Sequence, residues 1–227
     1  MLKNRLNLRK RSGRALWIAL AVSWLSCGPG LETRTETDDT GYRTEYQFSP
    51  ETGQREGLAR NFAPDGRLLS EETYRDGKLE GERRAFYPDG SVEIVENYRG
   101  GTFHGDYLTY DSTGHLKVQG QYTDGVMSDR WLRYWPNGRV REEVTVSDNA
   151  DNGPFREWYE NGNPSAAGSY AAGKESGTLW QWDEEGNLSA IRDCGPEGCP
   201  ARWKAETGEE PPVAPPDMTR PPDLAAE

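Results

Sequence analysis

The chain has 227 residues, 33% of them hydrophobic and 11% aromatic, with 26 glycines and 15 prolines. A mean hydropathy of −0.94 argues against a compact α/β enzyme, while the aromatic content argues against a wholly disordered chain. Asp and Glu outnumber Lys and Arg by 38 to 27, a formal charge of −11, which argues against a nucleic-acid or anionic-lipid partner.

The first 26 residues stand apart. MLKNRLNLRKRSGR carries six Lys/Arg and no acid, an 11-residue apolar run follows from Ala15 to Leu25, and Ser26-Cys27-Gly28 comes next. That order predicts a secretory signal over 1–26; the run is too short for a bilayer span, which needs roughly 20 residues. Cys27 after a small residue resembles a bacterial lipobox, with Trp24 where that family usually has Leu. The resemblance implies cleavage before Cys27, a diacylglycerol on its sulfur and, with Gly28 next, outer-membrane sorting. Ordinary signal cleavage near Ala19-Leu20-Ala21 is the alternative, giving a periplasmic or secreted chain. Removing residues 1–26 takes six of the 27 basic residues and no acid, which leaves −17. Residues 27–41 then read as the lipidated cysteine and a flexible polar tether.

From residue 42 the sequence keeps a period of 24. One glycine column runs Gly66, Gly90, Gly114, Gly138, Gly162 and Gly186 without a break. A second runs Gly57, Gly81, Gly105, Asp129, Gly153 and Gly177, and a third Gly77, Gly101, Gly125, Asn149 and Gly173. The aromatic column is Phe62, Phe86, Tyr110, Tyr134, Trp158 and Trp182. PDG, PDG, STG, PNG, ENG and EEG follow it, and the glycine supplies the positive φ of a hairpin turn. Leu68 and its counterparts then open a second strand with period-two alternation. Glycine every dozen residues or so excludes a helical reading. The prediction is all-β: an elongated, twisted antiparallel sheet of tandem 24-residue hairpins, about twelve strands and roughly 55 Å long. A half-unit at 42–56 caps the first edge, six units follow near 57–80, 81–104, 105–128, 129–152, 153–176 and 177–199, and the repeat domain ends at 203. Residues 204–227, acidic and rich in proline, read as a disordered tail.

GERRAFYPDGSVEIVENYRGG and GPFREWYENGNPSAAGSYAAG resemble the MORN repeat variant, a family whose proteins often carry the label YwqK-family antitoxin. The resemblance covers about 42–194. It implies a chain of β-hairpins with no catalytic residues.

Three cysteines remain to be assigned. Cys27 is the lipid site, and Cys194 and Cys199 in CGPEGC make a candidate local disulfide in an oxidising envelope. Zinc is disfavoured because His104 and His115, the only histidines, lie about 80 residues from that pair in sequence. No cofactor or metal is expected. Asp111-Ser112-His115 reads as turn chemistry rather than a catalytic trio, Asp148 to Gly153 as a turn rather than a calcium loop, and Glu71-Glu72 and Glu142-Glu143 as solvated surface. Candidate binding residues are those where the units differ: Tyr107, Trp131 and Phe155 in one register, and Tyr87, Trp135 and Tyr159 in another, flanked by Arg130, Arg133 and Arg156. Two readings stay open: sideways packing on a thin sheet, or an aromatic ladder for a partner. The function expected is a non-catalytic envelope scaffold for another envelope protein. Its only membrane contact is the N-terminal lipid. The alternatives are a glycan- or peptidoglycan-binding module and an antitoxin-like protein.

Overall fold

The computed structural model describes residues 30–219. The predicted signal, Cys27 and the last eight residues lie outside the described residues. Among those described, no helix is long and apolar enough to cross a membrane.

The chain forms one antiparallel sheet in which each strand pairs with its sequence neighbour. β1 (Glu32–Thr37) and β2 (Arg43–Phe48) lead into β3 (Arg55–Phe62) and β4 (Leu68–Arg75), the first full hairpin. The two-residue β5 (Lys78–Leu79) pairs only with β4 and precedes β6 (Gly81–Phe86) and β7 (Val92–Arg99). The next hairpins are β8 (Thr102–Tyr110) with β9 (Leu116–Thr123), and β10 (Val126–Tyr134) with β11 (Val140–Ser147). Then come β12 (Ala150–Trp158) with β13 (Pro164–Ala171), and β14 (Lys174–Trp182) with β15 (Leu188–Cys194). β16 (Ala201–Lys204) closes the far edge, followed by a single turn of 3-10 helix at Ala205–Thr207.

The period has a simple origin. In the third unit a strand of nine residues, a connection of five, a strand of eight and a turn of two complete the 24. The strands are longer than the roughly six residues that turn spacing suggests, because the turns between units are minimal. Asp76-Gly77, Gly100-Gly101, Asp124-Gly125, Asp148-Asn149 and Ala172-Gly173 all have positive φ at both positions, the two-residue geometry that matches strand twist. Within each hairpin the glycine of the unbroken column holds φ between +79° and +94°. The pairing register skips one residue at the aromatic column in all six units, as between Asn61 and Phe62. Such bulges bend the strand and increase its twist. The two glycine columns therefore set backbone shape.

Alternation gives the sheet two faces. On one, which we call the inner face, Trp131, Val144, Phe155 and Gly168 lie in a row across four strands. On the other, the outer face, Leu132, Glu143, Arg156, Ala167, Trp180, Ile191 and Trp203 form an unbroken row. The larger core is on the inner face, where Trp131, Val144, Val146, Phe155, Ala166, Leu179 and Cys194 are buried together. Tyr107 and Tyr122 pack against it. The aromatic column follows the same gradient. Phe62, Phe86 and Tyr110 are half-buried, whereas Tyr134, Trp158 and Trp182 are buried.

Both ends differ from expectation. Residues 32–37, placed in the tether, form β1, which pairs along its whole length with β2. Alternating threonines suit a strand, and every residue of it is exposed, so its hydrophilicity disguised it. The half-unit at 42–56 is thus not the outer edge. At the other end, residues 205–219 are not a free tail: they fold back over the outer face.

Candidate binding surface

All six aromatic candidates have structural work to do. Trp131 is 4% exposed and Phe155 2%, so these two do not form an exposed ladder. Tyr107 is half-buried, its ring 5.7 Å from that of Trp131, and Phe155 stacks near Tyr170 at 4.5 Å. Burial and its neighbours' negative charge, Glu157 first, push the Tyr170 hydroxyl up to about 12. Trp131 fits because its neighbour across the strand pair is a glycine: a Cβ on Gly120 would lie 2.2 Å from the indole.

Tyr87, Trp135 and Tyr159 occupy one column, and each ties its hairpin to the next. Tyr87 donates to the carbonyl of Tyr110 at 2.8 Å, Trp135 Nε1 to that of Trp158 at 2.9 Å, and Tyr159 to that of Trp182 at 2.8 Å. The same column holds Ala63 in the first unit and Asp111 and Asp183 in the third and sixth. Those aspartates instead accept hydrogen bonds from the backbone of their own turn, at His115 N and Asn187 N. This replaces the Asx contact made by Asp65, Asp89, Asn137 and Asn161 elsewhere. The Thr113 hydroxyl chiefly, with the turn amides, lowers Asp111 to about 2. Asp111, Ser112 and His115 are therefore a turn, with His115 Nδ1 2.7 Å from Thr113 Oγ1. Asp148 and Asn149 are likewise turn residues, and Asn149 Oδ1 accepts from Met127 N at 2.8 Å.

The glutamate pairs are not solvated as expected. Glu143 is 8% exposed and takes Arg130 at 3.1 Å and Arg156 at 2.5 Å. On the inner face Arg133 reaches Glu142 at 2.7 Å. Arg83 joins Glu96 at 2.6 Å, where Glu96 is also 8% exposed and accepts from Tyr98 at 3.1 Å. Strand alternation correctly puts the two members of each pair on opposite faces, but Glu143 is buried and Glu71, Glu72 and Glu142 are half-buried, each with an arginine on a neighbouring strand beside it. They are charge rungs between strands, not a pair positioned for acid–base chemistry.

Cys194 and Cys199 are disulfide-bonded across a hairpin closed by Gly195 and Gly198. Glu175 joins them in the one group of potential metal ligands found among the described residues. Both sulfurs are committed to the bond, so the donor set does not suit a metal in this state.

The surface that sequence reasoning missed is made by the C-terminal segment. Trp203 Nε1 donates to the carbonyl of Glu209 at 2.9 Å, turning the chain back. Met218 then packs on a cluster of Leu132, Tyr134, Val140 and Trp158. Trp158 Nε1 donates to the Met218 carbonyl at 3.3 Å, and Arg156 Nη1 reaches the carbonyls of Asp217 and Thr219 at 3.2 and 3.4 Å. A cleft of about 420 Å³ opens beside this contact, lined among others by Glu143, Arg156, Trp180, Pro216 and Asp217. The signal in the sequence was slight: Val213 and Met218 are the only large apolar side chains between Trp203 and Thr219.

Four segments of this sheet, residues 55–76, 79–99, 103–124 and 151–172, match the model of the MORN repeat variant. The chain contains a MORN repeat variant domain. Repeats of this type generally mediate protein or membrane binding and are typically non-catalytic. No curated protein matches the chain. Each matched MORN segment coincides with one hairpin of the sheet: β3–β4, β6–β7, β8–β9 and β12–β13. Of the two unmatched units, 129–152 and 177–199, the first is the one in which Asp129 and Asn149 replace column glycines, and both keep positive φ, at +62° and +63°.

Proposed function

We propose that this chain is a non-catalytic cell-envelope lipoprotein, held at the membrane by lipid on Cys27, whose MORN-type sheet is an interaction scaffold for another envelope protein. The observation that carries this reading is the unbroken outer-face row. A backbone repeated every 24 residues presents charge in its early part, at Arg60, Glu71 and Arg84. Later the row turns aromatic and aliphatic, at Trp180, Ile191 and Trp203; Ile191 and Trp203 are buried there and Trp180 is half-buried, so the charged part is what the row offers a partner. A repeat sheet lets several weak contacts act in series on one partner.

Cross-linking in intact cells, followed by mass spectrometry, tests it. The expected result is a recurrent adduct with one envelope protein that is lost in Cys27→Ser, together with lipid-dependent membrane fractionation. Co-sedimentation with purified peptidoglycan and no protein adduct would replace the scaffold by a glycan-binding module.

A further inference from the structure

We infer that the groove formed by Trp158, Arg156 and the Leu132–Val140 cluster is a recognition site for an extended, proline-flanked peptide segment with one unbranched apolar side chain, and that residues 216–219 are its built-in competitor. This rests on the scaffold reading and names the class of partner segment for one part of the outer face.

What covers the groove shows what it accepts. Met218 is the one apolar side chain of Pro216-Asp217-Met218-Thr219, and it enters a cluster that includes Leu132, Val140 and Trp158, of which Leu132 is 0% and Val140 2% exposed. The remaining contacts address backbone: two carbonyls on Arg156 and one on Trp158 Nε1. Main-chain recognition plus one side-chain pocket is how extended peptides are held generally, and prolines lower the entropy lost on binding. Arg156 is fixed for this task, since its Nε and Nη2 bond Glu143 Oε2 at 2.9 and 2.5 Å and leave Nη1 for the peptide.

The chain's own segment is an incomplete occupant. Trp180 lines the adjoining cleft, and its Nε1 is buried with no acceptor among the described residues. A longer segment that also fills this cleft of about 420 Å³ gains contact that residues 216–219 leave unmade. The tail has the advantage of being tethered, which corresponds to an effective concentration in the millimolar range for short flexible linkers. A partner segment must therefore outcompete it, and the tether sets the threshold.

The test uses the full chain and a fluorescent peptide of residues 211–219, read by anisotropy. Met218→Asp in the protein removes the competitor's anchor without touching the sheet, and circular dichroism checks that the sheet persists. The peptide is expected to bind the Met218→Asp chain at least about tenfold more tightly than the unaltered chain. Adding Arg156→Gln, or placing Met218→Asp in the peptide itself, should abolish binding; the peptide change cannot affect folding of the protein. Equal binding to both chains, binding to neither, or equal binding of the altered peptide would overturn the inference. Those outcomes leave the cross-linking result of the scaffold reading untouched, so the two can fail separately.

Discussion

Trp131 fills the space that a side chain at Gly120 would need, with Cδ2 and Cε2 2.2 and 2.3 Å from where a Cβ would stand. Gly120 has an ordinary φ, so the glycine is there for the contact and not for the turn. In earlier units the corresponding positions are Arg83 and Glu72 or Glu96, an ion-paired arrangement. The fold thus fills one inner-face position either with charge rungs or with a large ring over glycine. Gly120→Ala is expected to cost roughly 1–3 kcal/mol by overpacking. Because Trp131→Leu vacates the same space, the double substitution should be more stable than the two single losses added together, by at least about 1 kcal/mol. Urea denaturation of the four proteins measures this, and simple additivity would show that the two residues do not compete for space.

Tyr159 carries its hairpin's link to the next through one hydroxyl. Tyr159→Phe keeps the ring and leaves the Trp182 carbonyl without that donor. The expected loss is about 0.5–1.5 kcal/mol, accompanied by faster amide exchange in the following turn, around Asp183 to Gly186. An unchanged exchange pattern there would mean the bond does not couple the units.

The hairpin grid was legible because each of its columns does a job fixed by local backbone. A residue at φ near +90° is written as glycine, and the reader needs no knowledge of packing to find it. The burial of Trp131 and Phe155 was not legible in the same way. Alternation places both on one face, but which face gathers a core depends on Val144, Val146 and Leu179 arriving from other strands. Strand β1 escaped because its stability comes from pairing with β2, not from any apolar residue. The groove at Trp158 escaped for a stronger reason: it is completed by Met218, 60 residues away, through contacts to backbone carbonyls that any sequence could offer.

Glu143 is the counter-ion shared by Arg130 and Arg156. Glu143→Ala strands two arginines, each with a side chain about 30% exposed, so solvent relieves part of the charge. The expected cost is roughly 1–3 kcal/mol, below that of breaking a fully buried pair. It should also free Arg156 from its fixed orientation and loosen residues 216–219. Limited proteolysis near Thr219 reads this: faster cleavage than in the parent chain is expected, while Arg60→Ala, on the same face but far from the groove, should leave the rate unchanged.

Glu157 pairs across the strands with Glu142. Burial, then the charge of Glu142 and of Glu175, raises its pKa, with Arg141 and Arg133 partly offsetting. The native state therefore holds this proton more tightly than the unfolded chain does. The stabilisation from protonation is fully present below the unfolded carboxylate pKa and is lost as pH rises through the raised native value. At neutral pH the ionised side chain is a burden that Glu157→Gln removes. Like charges placed opposite each other on a sheet cost roughly 0.2–1 kcal/mol, which corresponds to a gain of about 1–4 °C in Tm for a domain of this size. Melting curves of Glu157→Gln and the parent chain at pH 7.5 and pH 4 provide the check. The gain should appear at pH 7.5 and shrink at pH 4, where the native glutamate already carries its proton; a gain of equal size at both would place its origin in packing instead of charge.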